Sequence, residues 1–181
     1  MTQQLKWQLG TVLDIRQETP SVKSLILFTR GDYEQAYTLL QEALVSAQES
    51  GNRMSYLWLR VRLGYAALRA GNLEEAHDIL IETAQNFHKD GYTIGAVFAL
   101  EGMAALYVVV GRPESAARLI GWADAIRKKI NDTRLNLEQA DVNKVIAACL
   151  AKMGEVAFSD AYDEGQKMTL DEGVAYALEK T

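Results

Sequence analysis

The side chains that could act as ligands or nucleophiles are two histidines, one cysteine and a few acidic pairs. His77 and His88 lie eleven residues apart in one helical pattern. The helical rise separates them by about 16 Å, too far to share a metal. The expected outcome is two surface or interhelical imidazoles. Cys149 sits in the apolar run Val145-Ile146-Ala147-Ala148-Cys149-Leu150. That setting predicts a buried, inert thiol rather than a nucleophile. Glu74-Glu75, Asp163-Glu164 and Asp171-Glu172 fall in first helical turns or on exposed faces. Interaction with the helix dipole accounts for several of them without catalysis. Asp160-x-x-Asp163-Glu164-Gly165 lacks the alternating oxygen ligands of a calcium loop. Neither Gly-x-Ser-x-Gly nor Gly-x-Gly-x-x-Gly occurs. The expectation is no catalytic residue, no metal and no cofactor.

Composition narrows the class further. The chain has 181 residues, 49% of them apolar, with a net charge of −5 and only two prolines. A chain this apolar is not disordered. One cysteine allows neither an intrachain disulfide framework nor a cysteine-rich zinc site. The longest apolar runs are near eight residues, as in Met103 to Val110, too short for a membrane-spanning helix. The N-terminal Met1-Thr2-Gln3-Gln4 carries no secretory apolar region, which predicts a cytoplasmic protein. The acidic balance argues against direct binding of nucleic acid. So few prolines fit an all-helical chain.

The elements that hold these side chains repeat. Gly31-Asp32-Tyr33-Glu34-Gln35-Ala36, Gly71-Asn72-Leu73-Glu74-Glu75-Ala76 and Gly111-Arg112-Pro113-Glu114-Ser115-Ala116 are spaced by 40 residues. Each Gly marks a left-handed helix end, where glycine costs least. Asp32 and Asn72 are placed to cap the helix that follows. Pro113 fits a first helical turn, where its missing N–H is not needed. Ala36, Ala76 and Ala116 allow close helix approach. Upstream, Leu57, Val61, Gly64, Tyr65 and Leu68 follow helical spacing, as do Ala96, Leu100, Met103, Ala104 and Tyr107. Each unit therefore reads as an antiparallel pair of helices, with the second joint at Ser50-Gly51-Asn52 and at Asp90-Gly91.

This predicts helices near 13–30, 32–49, 53–69, 72–89, 93–110 and 113–129, then 137–153, 155–165 and 169–180. Thr19-Pro20 breaks or kinks the first, so its well-formed part starts at Pro20. Residues 2–9 align with a second helix and read as the remnant of a preceding unit. Thr169-Leu170-Asp171-Glu172 is a capping box. The expected organisation is a single domain over 1–181. Repeats cover 12–50, 51–90 and 91–130, and capping helices cover 131–181, because terminal units must cover an apolar face that no neighbour covers.

Leu63-Gly64 and Ala67 in a first helix, Gly71-Asn72-Leu73-Glu74-Glu75-Ala76 at the turn and Leu80 in the second resemble a tetratricopeptide repeat lengthened from its usual unit. The stretch Ser115 to Arg127 resembles the last repeat in the C-terminal region of bacterial LuxR-type and SARP-type regulators and of large signalling (STAND) ATPases. Gly154-Glu155-Val156-Ala157-Phe158, Tyr162-Asp163-Glu164-Gly165 and Thr169 to Val174 resemble the end of that region. The likeness runs over about residues 12–180. It implies an all-α, right-handed superhelical solenoid of helix-turn-helix pairs, about three units with a helical cap. Such regulators also carry a nucleotide-binding ATPase and often a helix-turn-helix. No Gly-x-x-x-x-Gly-Lys-Ser/Thr loop is present here. The resemblance therefore implies the interaction or sensor module alone.

First helices of such pairs line the concave face. Carrying the family's groove positions over gives Leu25, Phe28, Trp58, Arg62, Tyr65, Arg69, Phe98, Glu101 and Val108 as the partner-binding surface. Trp, Tyr and Arg are frequent interface anchors. The groove would take a protein or peptide segment, with the arginines pairing an acidic group. The chaperone-tail clamp of some tetratricopeptide domains is not expected, since Ser21 and Leu25 replace its Lys and Asn. A homodimer through exposed apolar ends is a further expectation. Two readings follow: a non-catalytic interaction or oligomerisation module of a bacterial regulator, and a sensor domain binding a small effector or peptide. A closed pocket lined by Trp58, Tyr65 and Phe98 favours the sensor. The opposite geometry has the long helices curl tightly and bury Trp58, Phe98 and Val108 against the C-terminal helices.

Overall fold

A computed structural model describes residues 20–179, without the side chains of residues 20–22, 25 and 29. The described chain is all helix and turn: α1 (Pro20–Arg30), α2 (Tyr33–Glu49), α3 (Arg53–Ala70), α4 (Leu73–Lys89), α5 (Thr93–Val109), α6 (Pro113–Lys129), α7 (Asn136–Met153), α8 (Glu155–Gln166) and α9 (Leu170–Glu179). Each helix from α1 to α6 packs against the next, giving an α-solenoid of antiparallel pairs. The anticipated helix 13–30 is described from Pro20 onward; its earlier part and residues 2–9 lie outside the described residues.

One turn geometry recurs every twenty residues. Gly31, Gly51, Gly71, Gly91 and Gly111 all have positive φ, between 68° and 87°. Asn131 continues the series at φ 55°, the sole non-glycine with positive φ among the described residues. At all of these turns except that of Gly51 the next amide reaches back to the preceding helix, as Asn72 N donates to Ala67 O at 2.9 Å and Asp132 N to Arg127 O at 2.9 Å. This backbone closure satisfies terminal carbonyls. Side-chain capping differs from expectation. Asp32 and Asn72 make no cap hydrogen bond, whereas Asn52 Oδ1 accepts from Ser55 N at 3.0 Å. Asp32 and Asn72 contribute through their backbone carbonyls instead, which accept from Ala36 N and Ala76 N. Pro113 occupies the first turn of α6, and the Thr169–Glu172 capping box opens α9 with bonds of 2.7 and 3.2 Å. That box holds the Glu172 carboxyl below its ordinary range.

The core runs through the middle of the solenoid. Helix α5 buries eleven of its seventeen residues and α6 buries ten, so both are enclosed on most sides. Ala36, Ala76 and Ala116 are fully buried at the helix crossings. The three C-terminal helices close different faces. Helix α8 crosses α6 through Gly121 and Gly165, where backbones nearly touch. A Cβ on Gly121 would lie 2.1 Å from Tyr162 O, and one on Gly165 1.9 Å from Arg118 O. Helix α9 packs against α4, α5 and α6. It is fixed by Trp122 Nε1 donating to Thr169 O at 2.9 Å and Tyr107 OH donating to Ala177 O at 3.1 Å. Helix α7 lies against α5 and α6. No helix among the described residues is long and apolar enough to cross a membrane.

Candidate functional site

The first helices of the pairs, α1, α3 and α5, carry the nine groove positions. The Leu25 side chain lies outside the described residues. Phe28 is half-buried and meets Tyr33 edge-on at 5.3 Å. Trp58, Tyr65 and Phe98 come together through helical spacing on α3 and α5. Trp58 and Phe98 ring centroids are 5.9 Å apart, Tyr65 and Phe98 5.1 Å, and Trp58 also packs on Phe87 at 5.1 Å. Tyr65 OH donates to Phe98 O at 3.0 Å. Burial and nearby carboxylates push its phenol well above its ordinary value. These rings fill one another's space. They form an aromatic seam rather than the wall of a cavity.

The polar positions of the face meet α7. Arg69 Nη2 lies 3.1 Å from Asp141 Oδ1. Burial holds the Arg62 guanidinium below its ordinary value, and the Glu138 carboxylate opposes that shift. At the far end Lys152 Nζ donates to Val108 O at 2.7 Å. Helix α7 thus runs along the face from the middle of α5 to its C-terminus, with Val142, Val145 and Cys149 buried beneath it. Its length puts carboxylates at one end and a lysine at the other.

Glu101 lies deeper than a groove residue would. It is only 4% exposed and stands at the centre of an ion cluster. Arg127 grips it with both arms, Nε to Oε1 at 2.8 Å and Nη2 to Oε2 at 2.9 Å. Arg134 Nε donates to Oε1 at 2.9 Å, and its Nη2 stands 2.7 Å away but out of line for a hydrogen bond. Arg127 also pairs with Asp132, and Arg134 with Asp124. Glu138 sits 3.9 Å from Arg127. Burial pushes the Glu138 carboxyl above its ordinary value, while its acceptance from Leu135 N and the nearby Arg127 pull it down. Arg127 is raised, because its hydrogen bonds to Glu101 and the surrounding carboxylates outweigh its burial. Charges buried this far persist only when paired and hydrogen-bonded. The cluster ties α5, α6, the 130–135 turn and α7 to one another.

Sequence reasoning placed Glu101 on the face but not its partners. They come from segments 26 to 33 residues away, and helical period carries no information at that distance. The histidines stay apart, as their spacing requires. His77 Nδ1 contacts its neighbour Asp78 at 3.0 Å, and His88 Nε2 lies 3.0 Å from Asp171 Oδ1 on α9. Cys149 is fully buried, and burial pushes its thiol up to about 11. Among the described residues no group of His, Cys, Asp and Glu is arranged to hold a metal.

Comparison with known proteins agrees with the architecture. Residues 22–89, which span α1 to α4, match the tetratricopeptide repeat family. Proteins named as HTH-type transcriptional regulators from Mycobacterium bovis and Mycobacterium tuberculosis are 33% identical over 79 residues. That alignment takes in 44% of this chain and 9% of each regulator, so the chain matches only a small part of their length. No solved structure matches significantly. Family match, repeating glycine turns and stacked helix pairs converge: the described chain is an all-helical, tetratricopeptide-like solenoid, of which residues 22–89 match the tetratricopeptide repeat family.

Proposed function

We propose that the chain is a non-catalytic protein-interaction module of a bacterial transcriptional or signalling regulator, acting in the cytoplasm. The tetratricopeptide repeat is an interaction repeat that binds protein partners, and its match over α1 to α4 carries the reading. The likeness to named transcriptional regulators supports the setting. The proposed organisation is one domain of three 40-residue units followed by the capping helices α7 to α9. The proposed binding surface is the face of α1, α3 and α5. It offers half-buried aromatic rings beside Arg62 and Arg69, a combination suited to a partner with apolar and acidic groups. The partner is a protein or peptide, a second copy of the chain included, and neither nucleic acid nor membrane. The small-effector reading has less support, because Trp58, Tyr65 and Phe98 pack on one another.

Immobilised wild type and a Tyr65→Ala/Arg69→Glu variant, each checked for helicity, are compared for retention of proteins from the source bacterium by quantitative mass spectrometry. The reading predicts a protein retained by the wild type and lost by the variant. An identical retained set for two folded proteins would remove the binding-face assignment.

A further inference from the structure

We propose that α7 is a displaceable strap. It occupies the binding face in the free protein, and the partner is an amphipathic helix that copies its inner side. This rests on the interaction reading above and goes beyond it by stating the partner's chemistry. Four observations carry it. First, α7 lies along the face assigned to partner binding, from Asp141 at Arg69 to Lys152 at Val108 O. Second, it is less embedded than the helices beneath it. It buries three of eighteen residues, against eleven of seventeen in α5 and ten of seventeen in α6. Leu137 and Leu150 on α7 remain exposed, at 50% and 36%.

Third, both ends of α7 carry joints. Asn131 holds a left-handed backbone in the preceding turn. Gly154, at φ 81° and ψ 167°, occupies a region nearly closed to other residues and leads directly into α8. Beyond that joint the Gly121–Gly165 crossing fastens α8 to α6, so α7 can lift between two fixed points. Fourth, the charges match lengthwise. Glu138 and Asp141 enter a field of Arg62, Arg69 and Arg127, and Lys152 meets a carbonyl at the C-terminal end of α5. A helix seated there therefore carries carboxylates three apart near its N-terminus. Small apolar residues follow at the positions of Val142, Val145 and Cys149, and a lysine comes one turn later. Carboxylates near the N-terminus and a cation near the C-terminus also suit that helix's own dipole.

The test adds the strap back in trans. A fluorescein-labelled peptide of residues 136–153 is titrated, by anisotropy, with the full chain as wild type, as Asp141→Asn and as Glu138→Lys/Asp141→Lys. Weakening the strap in cis raises the fraction of open face, and apparent affinity rises in proportion. The double variant should bind about tenfold tighter than wild type and Asp141→Asn about threefold tighter. Adding Arg69→Glu should abolish the gain. The single Asp141→Asn variant changes two partly exposed pairs, to Arg69 on the face and to Lys144 within α7, so the ordering is readable even if the double variant unfolds. Equal binding to wild type and a folded variant, absence of binding to both, or a gain that survives Arg69→Glu would each overturn the proposal. If the peptide fails while Tyr65→Ala/Arg69→Glu still loses a natural partner, the strap is wrong and the interaction reading stands.

Discussion

Glu101 is the residue on which the interior charge balance turns. Glu101→Gln would keep the volume and leave Arg127 and Arg134, 6% and 7% exposed, without their shared carboxylate. Removing one partner of a buried pair costs about 3–5 kcal/mol. Urea denaturation of the variant should show a loss in that range, and a loss below about 1 kcal/mol would place the pair with surface salt bridges. The Cys149 thiol makes a second prediction at this scale. Burial raises its pKa from the ordinary 9.0 to about 11, so the native state favours the protonated form. The associated stability is present below the ordinary thiol value and declines as pH climbs towards 11. A thiol reagent at about pH 8 should label the native chain on the order of a hundredfold more slowly than the chain in concentrated guanidinium, as the thiolate fraction falls. Equal rates would show a thiol that is neither buried nor shifted. The burial of Cys149 was legible from its apolar run, because burial of one side chain follows from local pattern. The Glu101 cluster was not, because it joins residues from three helices and a turn.

At the scale of elements, the glycine turns made the fold readable. A residue type that tolerates positive φ recurs with period twenty, and helix limits follow to within a residue or two. Asn131 extends the rhythm beyond the last glycine, and Asn is among the few other residues at ease there. What sequence left hidden was how the last three helices dock. Their register departs from the repeat, and their positions are set by close approaches such as Gly121 on Tyr162 and Gly173 on Trp122. Small residues in a helix announce that something comes near without saying what. The α6–α8 crossing gives a sharp test. Gly121→Ala would place a methyl 2.1 Å from a backbone oxygen, which no side-chain rotation relieves. Overpacking of this kind costs about 1–3 kcal/mol and at times more. Thermal denaturation should report a loss at the upper end of that range. An unchanged midpoint would show that α8 does not sit on α6 as described.

The molecule as a whole is a solenoid whose C-terminal helices fold back over it. Helix α9 rests on α4, α5 and α6, held by Trp122, Tyr107 and the His88–Asp171 pair; α8 is bolted to α6; α7 covers part of the face proposed for partners. The three dockings differ in kind, since α8 and α9 are fixed by backbone approach and buried aromatic anchors. Helix α7 is held at its edges by charge. Local stability follows buried apolar contact, so such a helix should open before α5 and α6. Native-state hydrogen exchange, followed segment by segment, tests this account most directly. The amides of residues 136–153 should exchange through an opening at least about 2 kcal/mol cheaper than that of α5 and α6, with α8 and α9 still protected. Exchange of α7 only together with α5 and α6, by unfolding of the whole solenoid, would contradict a binding face covered by a displaceable helix.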